Sequence, residues 1–187
     1  MQFIAPLRRR VIRLLDLGQG DHVLDMGCGT GASFEALRDA VGPTGRVTGV
    51  ELSEEMAAVA RQRIADHGWS NVEVIVGDAT TATLPDAVDG ILFFLVHDLT
   101  RMPAVMRRAI AVGRPGASVV ALGPVSATRW AVPVNLIVRA IAARYVTTFE
   151  GFDAPWSHLA DELPELRVRR VLGGGVYVAT GQLAPRS

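Results

Sequence analysis

The most informative run of the chain lies near its start and reads Val23-Leu24-Asp25-Met26-Gly27-Cys28-Gly29-Thr30-Gly31-Ala32. An apolar run that ends in Asp25 predicts a buried strand, and the apolar spacing after Ala32 predicts a helix. The three glycines between them allow positive φ angles and let the backbone come close to a ligand. Because the following helix offers unpaired N–H groups at its start, the run predicts a binding loop.

The same unit of strand, turn and helix recurs along the chain. The first strand is predicted over residues 22–25, and apolar runs predict further strands at residues 46–50, 72–76, 90–96 and 117–122. Apolar spacing predicts a helix over 101–112, and Ser53 is placed to cap another helix that stops at Gly68. A helix also precedes the first strand and stops at Gly18. Five strands that alternate with helices indicate a parallel sheet with right-handed crossovers.

The end of the chain departs from this rhythm. Residues 166–171 and 176–181 are two predicted strands joined by three glycines, which is typical of a hairpin. The predicted fold is therefore an α/β, doubly wound, mostly parallel seven-stranded sheet with helices on both faces and a C-terminal antiparallel hairpin. We assign all of residues 1–187 to one domain, with an N-terminal helix over 1–18 and a substrate wall or lid over 125–160.

Composition excludes several classes of function. The chain has 187 residues, of which 49% are hydrophobic, which is enough for one well-buried core. Its 19 basic residues, all of them arginine, balance 19 acidic residues, so no excess of positive charge indicates nucleic-acid binding. Because the chain contains no lysine, it has neither a lysine nucleophile nor the lysine of a phosphate-binding P-loop.

Cysteine and hydropathy patterns indicate the compartment. Cys28 is the one cysteine, so the chain forms no intramolecular disulfide, as is typical of a reducing compartment. We find no signal peptide and no apolar run long enough to span a membrane, and we therefore expect a cytoplasmic protein. The mean hydropathy of +0.27 is compatible with an apolar ligand or with a homodimer interface. No His-x-x-x-His pair or cysteine cluster indicates a metal.

The glycine loop alone fits two kinds of ligand. Gly27, Gly29 and Ala32 also satisfy the dinucleotide-binding pattern, with Glu51 about 20 residues further on. Two acids separate the alternatives. Asp25 faces the glycine turn, where it would repel a pyrophosphate and favour an ammonium group. Asp78 is a further acid, at the end of the third predicted strand.

Four motifs in order carry a family resemblance. They are Asp25-x-Gly27-x-Gly29-x-Gly31, then Glu51, then Gly77-Asp78-Ala79, then Arg114-Pro115-Gly116-Ala117. Together they resemble the class I S-adenosylmethionine-dependent methyltransferases of the small-molecule type, over roughly residues 21–123. Arg114 stands where the family often has lysine and Ala117 where it often has glycine, and neither position touches the cofactor.

The resemblance implies a role for each motif in binding S-adenosylmethionine. The loop from Gly27 through Gly29 to Gly31 would pack against the methionine part, with Asp25 near its ammonium group. Glu51 would accept hydrogen bonds from the ribose hydroxyls. The adenine would lie near four further residues: Asp78 at its amino group, Ala79 through its backbone N–H, and Leu52 and Met56 on the faces of the ring.

The chemistry is expected beyond the end of the fourth strand, where ligands bind in open α/β sheets. His97 lies there and is the candidate general base, since a neutral imidazole can take a proton near neutral pH. We expect Asp98 to cap the next helix. Aromatic and polar residues among aliphatic ones make 125–160 the candidate acceptor wall, with Trp130, Arg139 and Tyr145 as candidate contacts.

The leading hypothesis is methyl transfer from S-adenosylmethionine to a small apolar or aromatic acceptor at oxygen, nitrogen or carbon. One alternative keeps this cofactor and catalyses a reaction other than methylation. A second is a nicotinamide-dependent oxidoreductase, and a third is a binding module without catalysis. The expected partners are a small-molecule substrate and, in a homodimer, a second copy of the chain, but no nucleic acid.

Overall fold

The computed structural model describes residues 4–125 and 153–184, and in these two ranges seven strands form one sheet. The strands are β1 (His22–Met26), β2 (Arg46–Glu51), β3 (Val72–Val76), β4 (Val88–Phe94), β5 (Gly113–Pro124), β6 (Arg167–Val171) and β7 (Val176–Gln182). The helices are α1 (Ile4–Ile12), α2 (Phe34–Val41), α3 (Glu54–Asp66), α4 (His97–Thr100), α5 (Pro103–Ala111) and α6 (Ser157–Glu162), with 3-10 turns at Arg13–Leu15 and Leu172–Gly174.

The strand order is β3-β2-β1-β4-β5-β7-β6. Strands β1 to β5 pair in parallel, whereas β7 runs antiparallel to both β5 and β6. The predicted fold class is therefore confirmed, including the C-terminal antiparallel hairpin. The order reverses between β1 and β4, and such a switch point opens a crevice at the carboxyl ends of the strands.

Strand β5 and helix α5 have bounds that differ from the predicted ones. Strand β5 begins at Gly113 rather than at Ala117, because Gly113 pairs with Val88, and it runs on to Pro124, which pairs with Val176 of β7. Helix α5 begins at Pro103, two residues after its predicted start, because proline is favoured in the first turn of a helix.

Both faces of the central strands are buried, which explains their nearly continuous apolar sequence. On one face, alternate residues of β1 and β4, among them Val23 and Leu92, pack with α1 and α2. On the other face, Leu24 and Phe93 pack with α5 and α6. In the described part of the chain no helix has both the length and the apolar character needed to cross a membrane.

Candidate functional site

Three acidic residues meet at the carboxyl edge of the sheet. Asp25 lies in β1 opposite Gly49, and Glu51 ends β2 opposite Val76. Asp78 follows β3 by two residues. The parallel register therefore places the three acids that the sequence predicted for one site at the same edge of the sheet, with Asp25 on the strand next to the switch point.

The glycine loop joins β1 to α2 and is fixed by backbone hydrogen bonds. The N–H groups of Gly27 and Cys28 both donate to the carbonyl of Val50, at 2.8 and 3.0 Å. Gly27, Gly29 and Gly31 have φ angles of 71°, 57° and 69°, which L-residues rarely adopt. A Cβ atom on Gly27 would lie 2.5 Å from Cγ1 of Val96. Glycine is therefore also needed here so that the chain that follows β4 can pack closely on the loop.

The carboxylate of Glu51 is held in place by the backbone around it. Its Oε2 accepts a hydrogen bond from the N–H of Gly29, and its Oε1 accepts one from the N–H of Ser53, both at 2.9 Å. The Ser53 side chain in turn caps α3 by accepting a bond from the N–H of Met56 at 3.3 Å. Because a carboxylate has about four acceptor sites, both oxygens can still accept from a ligand.

Asp25 is a buried carboxylate whose own structure suggests a cationic ligand. Its side chain is 2% exposed, and its Oδ2 atom has no hydrogen-bond partner among the described residues. The pKa of Asp25 is raised to about 7, mainly by burial; the guanidinium of Arg8 opposes this rise, and the charge of Glu51 adds to it. A buried carboxylate without a partner is costly, and an ammonium group would supply the missing interaction. The predicted ammonium site therefore fits this cofactor.

The predicted adenine contacts surround the same loop. Leu52 and Met56 are 69% and 43% exposed, although both are large and apolar. The Cε atom of Met56 lies 3.5 Å from the position that a Cβ on Gly29 would take. Met56 therefore borders the loop, and both side chains expose apolar surface that a ligand could cover.

Asp78 and Ala79 are fixed by contacts that the sequence analysis did not anticipate. The Oδ1 atom of Asp78 accepts hydrogen bonds from the N–H and the hydroxyl of Thr80, both at 2.7 Å, and these bonds lower the pKa of the exposed Asp78 carboxyl. The carbonyl of Ala79 accepts a bond from Nε of Arg108 at 3.3 Å. Arg108 also donates to the carbonyl of Ala82, so α5 fastens this loop to the sheet edge.

His97 is the first residue of α4 and is 1% exposed. It directly follows Val96, which packs on Gly27, so His97 lies next to the glycine loop. The prediction that Asp98 caps a helix is wrong, because Asp98 lies inside α4, whose N-cap is Val96, and the N-cap of α5 is Met102. The chain already turns at Leu95, where φ is 59°, and α4 therefore begins two residues too early for Asp98 to cap it.

Three predicted site residues, Trp130, Arg139 and Tyr145, lie outside the described residues. Among the described residues, the sequence analysis did not single out Arg8 of α1, whose guanidinium carbon lies 4.8 Å from the ring centroid of Phe94, at the end of β4. The sequence carries only a weak signal for it, since Arg8 is one of three consecutive arginines.

Replacing Asp25 by asparagine tests how much the buried, ionised carboxylate destabilises the folded protein. A raised carboxyl pKa in the folded state means that its contribution to stability is present at acidic pH and is lost as pH rises from about 4 to about 7. We expect Asp25→Asn to raise the free energy of unfolding above pH 7 by on the order of 4 kcal/mol, since each pKa unit corresponds to about 1.4 kcal/mol.

Urea unfolding between pH 4 and pH 8 measures this effect, with Asp86→Asn, an exposed aspartate of the loop before β4, as the matched control. A difference between Asp25→Asn and wild type that is the same at every pH would contradict a raised Asp25 pKa.

Comparisons with known proteins identify the family of the chain. A family model described as "Methyltransferase domain" matches residues 23–116, half of the chain. Nocamycin O-methyltransferase from Saccharothrix syringae is 33% identical over 157 residues, which are 78% of this chain and 55% of that protein. Demethylmenaquinone methyltransferase from Geobacillus stearothermophilus is 33% identical over 117 residues, which are 62% of this chain and 50% of that protein. The chain thus spans about half the length of these relatives.

Solved structures show the same fold. A methyltransferase from Aquifex aeolicus, described as dependent on S-adenosylmethionine, superposes with a TM-score of 0.70 at 24% identity, over 95% of this chain and 89% of that one. The N-methyltransferase NodS from Bradyrhizobium japonicum superposes with a TM-score of 0.68 at 18% identity, over 99% of this chain and 98% of that one. The family match, the fold and the ordered site motifs lead to one conclusion: this chain belongs to the methyltransferase-domain family of class I, S-adenosylmethionine-dependent enzymes.

Proposed function

We propose that this protein binds S-adenosylmethionine and transfers its methyl group to a small acceptor. The observation that carries the proposal is the arrangement at the sheet edge, where the buried carboxylate of Asp25, whose Oδ2 atom accepts no hydrogen bond from the described residues, lies beside a glycine loop and a pre-oriented second carboxylate, Glu51. A dinucleotide would bring its pyrophosphate to this loop, where the charge of Asp25 opposes it.

Each binding residue has a physical task. Asp25 receives the ammonium group, and Glu51 accepts hydrogen bonds from the ribose hydroxyls with oxygens that Gly29 and Ser53 already orient. Asp78 accepts from the adenine amino group, and the N–H of Ala79 faces a ring nitrogen. Two apolar side chains on the rim of the loop, Leu52 and Met56, cover the faces of the base.

The bound cofactor supplies a methyl group on a sulfonium, which is electrophilic without further activation. The protein then needs mainly to align the acceptor with that methyl group and to exclude water, and alignment can contribute about 7 to 11 kcal/mol. His97 lies beside the glycine loop and is suited to take a proton from an acceptor hydroxyl or amine.

The acceptor is proposed to be apolar or aromatic. Two relatives are named after their acceptors, nocamycin and demethylmenaquinone, which supports a small-molecule acceptor, and the comparison with each covers only about half of the relative. The composition of residues 125–160 supports the same class, because Trp130 and Tyr145 stand among aliphatic residues and Arg139 could meet an acidic group of the acceptor.

Calorimetric titration with S-adenosylhomocysteine tests cofactor binding. We expect Glu51→Gln to weaken binding about 10-fold to 100-fold, since a hydrogen bond to a charged group contributes about 1.5 to 3 kcal/mol. Glu54→Gln is the matched control, because Glu54 is exposed on α3 and pairs with Arg61. Absence of binding to the wild-type protein at millimolar ligand would refute the proposal. Turnover of an acceptor without release of S-adenosylhomocysteine would refute methyl transfer and indicate the alternative use of the cofactor.

Replacing His97 by alanine tests the proposed base. We expect turnover to fall about 100-fold or more, which is typical for loss of a general base, while the affinity for S-adenosylhomocysteine stays nearly unchanged. Steady-state kinetics with an identified acceptor and calorimetry on the same preparation provide the two values. Unchanged turnover would assign His97 a structural role.

A further inference from the structure

The first helix reaches the cofactor edge of the sheet through one side chain. The guanidinium carbon of Arg8 lies 4.8 Å from the ring centroid of Phe94, within the range of a cation-π contact, and Nε of Arg8 is buried. Stacking on an aromatic ring suits the planar, delocalised charge of arginine. Helix α1 therefore places a positive charge at the end of β4.

That end of β4 adjoins Asp25. Asp25 of β1 pairs with Leu92 of β4, and Phe94 is two residues further along the same strand. Because side chains alternate between the two faces of a strand, Asp25, Leu92 and Phe94 lie on one face. Helix α1 packs on this face, since its residues Val11 and Ile12 share a core cluster with Leu92 and Phe94.

The charges around Asp25 come from three elements. Arg8 of α1 stabilises the ionised carboxylate, whereas Glu51 of β2 destabilises it. The Cys28 thiol of the glycine loop interacts with both carboxylates, and burial together with their charges raises the pKa of that thiol above its ordinary range. Leu92, the β4 residue opposite Asp25, is apolar. Among the described residues, Arg8 is thus the cation that offsets the burial of Asp25.

The next arginine on the helix has a different environment. Arg9 is half exposed and forms ion pairs with Glu35 at 3.5 Å and with Asp39 at 4.0 Å, both on α2. Arg8 and Arg9 therefore have the same charge and adjacent positions, but only Arg8 acts on Asp25. They form a matched pair for substitution.

We infer that Arg8 is a positioning residue of the cofactor site, which keeps the buried carboxylate of Asp25 ionised so that it can receive the ammonium group of the cofactor. The inference rests on the proposed function, because it takes the ammonium group as the ligand of Asp25. It makes α1 a part of the cofactor site, although no residue of α1 belongs to the motifs that identify the family.

The charge state of Asp25 sets how affinity depends on pH. Only the ionised carboxylate pairs with an ammonium group, and the pKa of Asp25 is about 7 with Arg8 in place. Affinity should therefore fall about 10-fold for each pH unit below 7. Loss of the Arg8 charge raises the pKa of Asp25 further, since a nearby opposite charge shifts a carboxyl pKa by about one to three units. The fall in affinity then begins at a higher pH.

Titration of S-adenosylhomocysteine into wild type, Arg8→Gln, Asp25→Asn and the double variant, from about pH 5.5 to 8.5, tests the inference. We expect Arg8→Gln to move the fall in affinity to higher pH by about one unit and therefore to weaken binding about 5-fold at pH 7, where Asp25 is half ionised in the wild type. In the Asp25→Asn background the same substitution should have no further effect. Arg8→Lys, which keeps the positive charge, should restore most of the affinity, and Arg9→Gln should bind as wild type does.

Several outcomes would overturn the inference. An equal loss of affinity from Arg8→Gln with and without Asp25 would mean that Arg8 touches the ligand itself. Equal effects of Arg8→Gln and Arg9→Gln, or no rescue by lysine, would mean that Arg8 has no specific action on Asp25. If the wild-type protein does not bind the ligand at all, the proposed function fails together with this inference, whereas wild-type binding with no effect that depends on Asp25 overturns this inference alone.

A second variant keeps the test decisive if Arg8→Gln does not fold. Phe94→Leu removes the ring on which the guanidinium stacks but keeps an apolar side chain in the core. We expect the pH dependence of its affinity to shift in the same direction by a smaller amount. A pH dependence identical to that of wild type would overturn the inference.

Discussion

The carboxylate of Asp25 is buried at the end of a central strand, where an ionised group costs free energy unless a partner meets it. Burial raises its pKa to about 7, and the neighbouring Glu51 acts in the same direction. Such a carboxylate lowers the stability of the folded chain, because its charge is buried. An ammonium ligand that pairs with it offsets this free-energy cost, which favours binding. The glycine loop, the second carboxylate and the first helix can all be understood as parts arranged around this one charge.

The sheet provides the arrangement. Parallel strands β1, β2 and β3 end at one edge, and the carboxylate of Glu51 ties the end of β2 to Gly29 of the loop. Gly27 has no side chain where the loop meets Val96, and the chain after β4, with His97 as the next residue, therefore packs closely on the loop. The opposite half of the sheet, with the antiparallel pair β5 and β7, lies away from these acids and completes the core.

Much of this could be predicted from the sequence, because the deciding signals are local. Glycines that need positive φ, an acid at a strand end and a serine that caps α3 each follow from a few adjacent residues, and the structure places Gly27, Glu51 and Ser53 as predicted. The start of β5 was predicted too late, because Gly113 pairs with Val88 of β4 although it lies outside the apolar run.

Contacts between distant parts of the chain could not be predicted in the same way. Arg8 and Phe94 are in contact although they are far apart in the sequence, and a run of three arginines does not show which one faces inward. The hydrogen bond from Arg108 to Ala79 is of the same kind, since it depends on how α5 packs beside the loop. Asp98 fails as a helix cap for a local reason, the left-handed turn at Leu95, which a residue other than glycine rarely makes.

The ionisation of Asp25 in the ligand-free protein is the property on which this account depends most directly. Carbon-13 NMR of the side-chain carboxyl groups, with the Asp25 signal assigned by comparison with Asp25→Asn, measures its titration. We predict a midpoint near pH 7 in the ligand-free protein, in line with a pKa of about 7, and a clear decrease when S-adenosylhomocysteine is bound. A midpoint near the ordinary value of 3.8 in the ligand-free protein, unchanged by the ligand, would contradict the account.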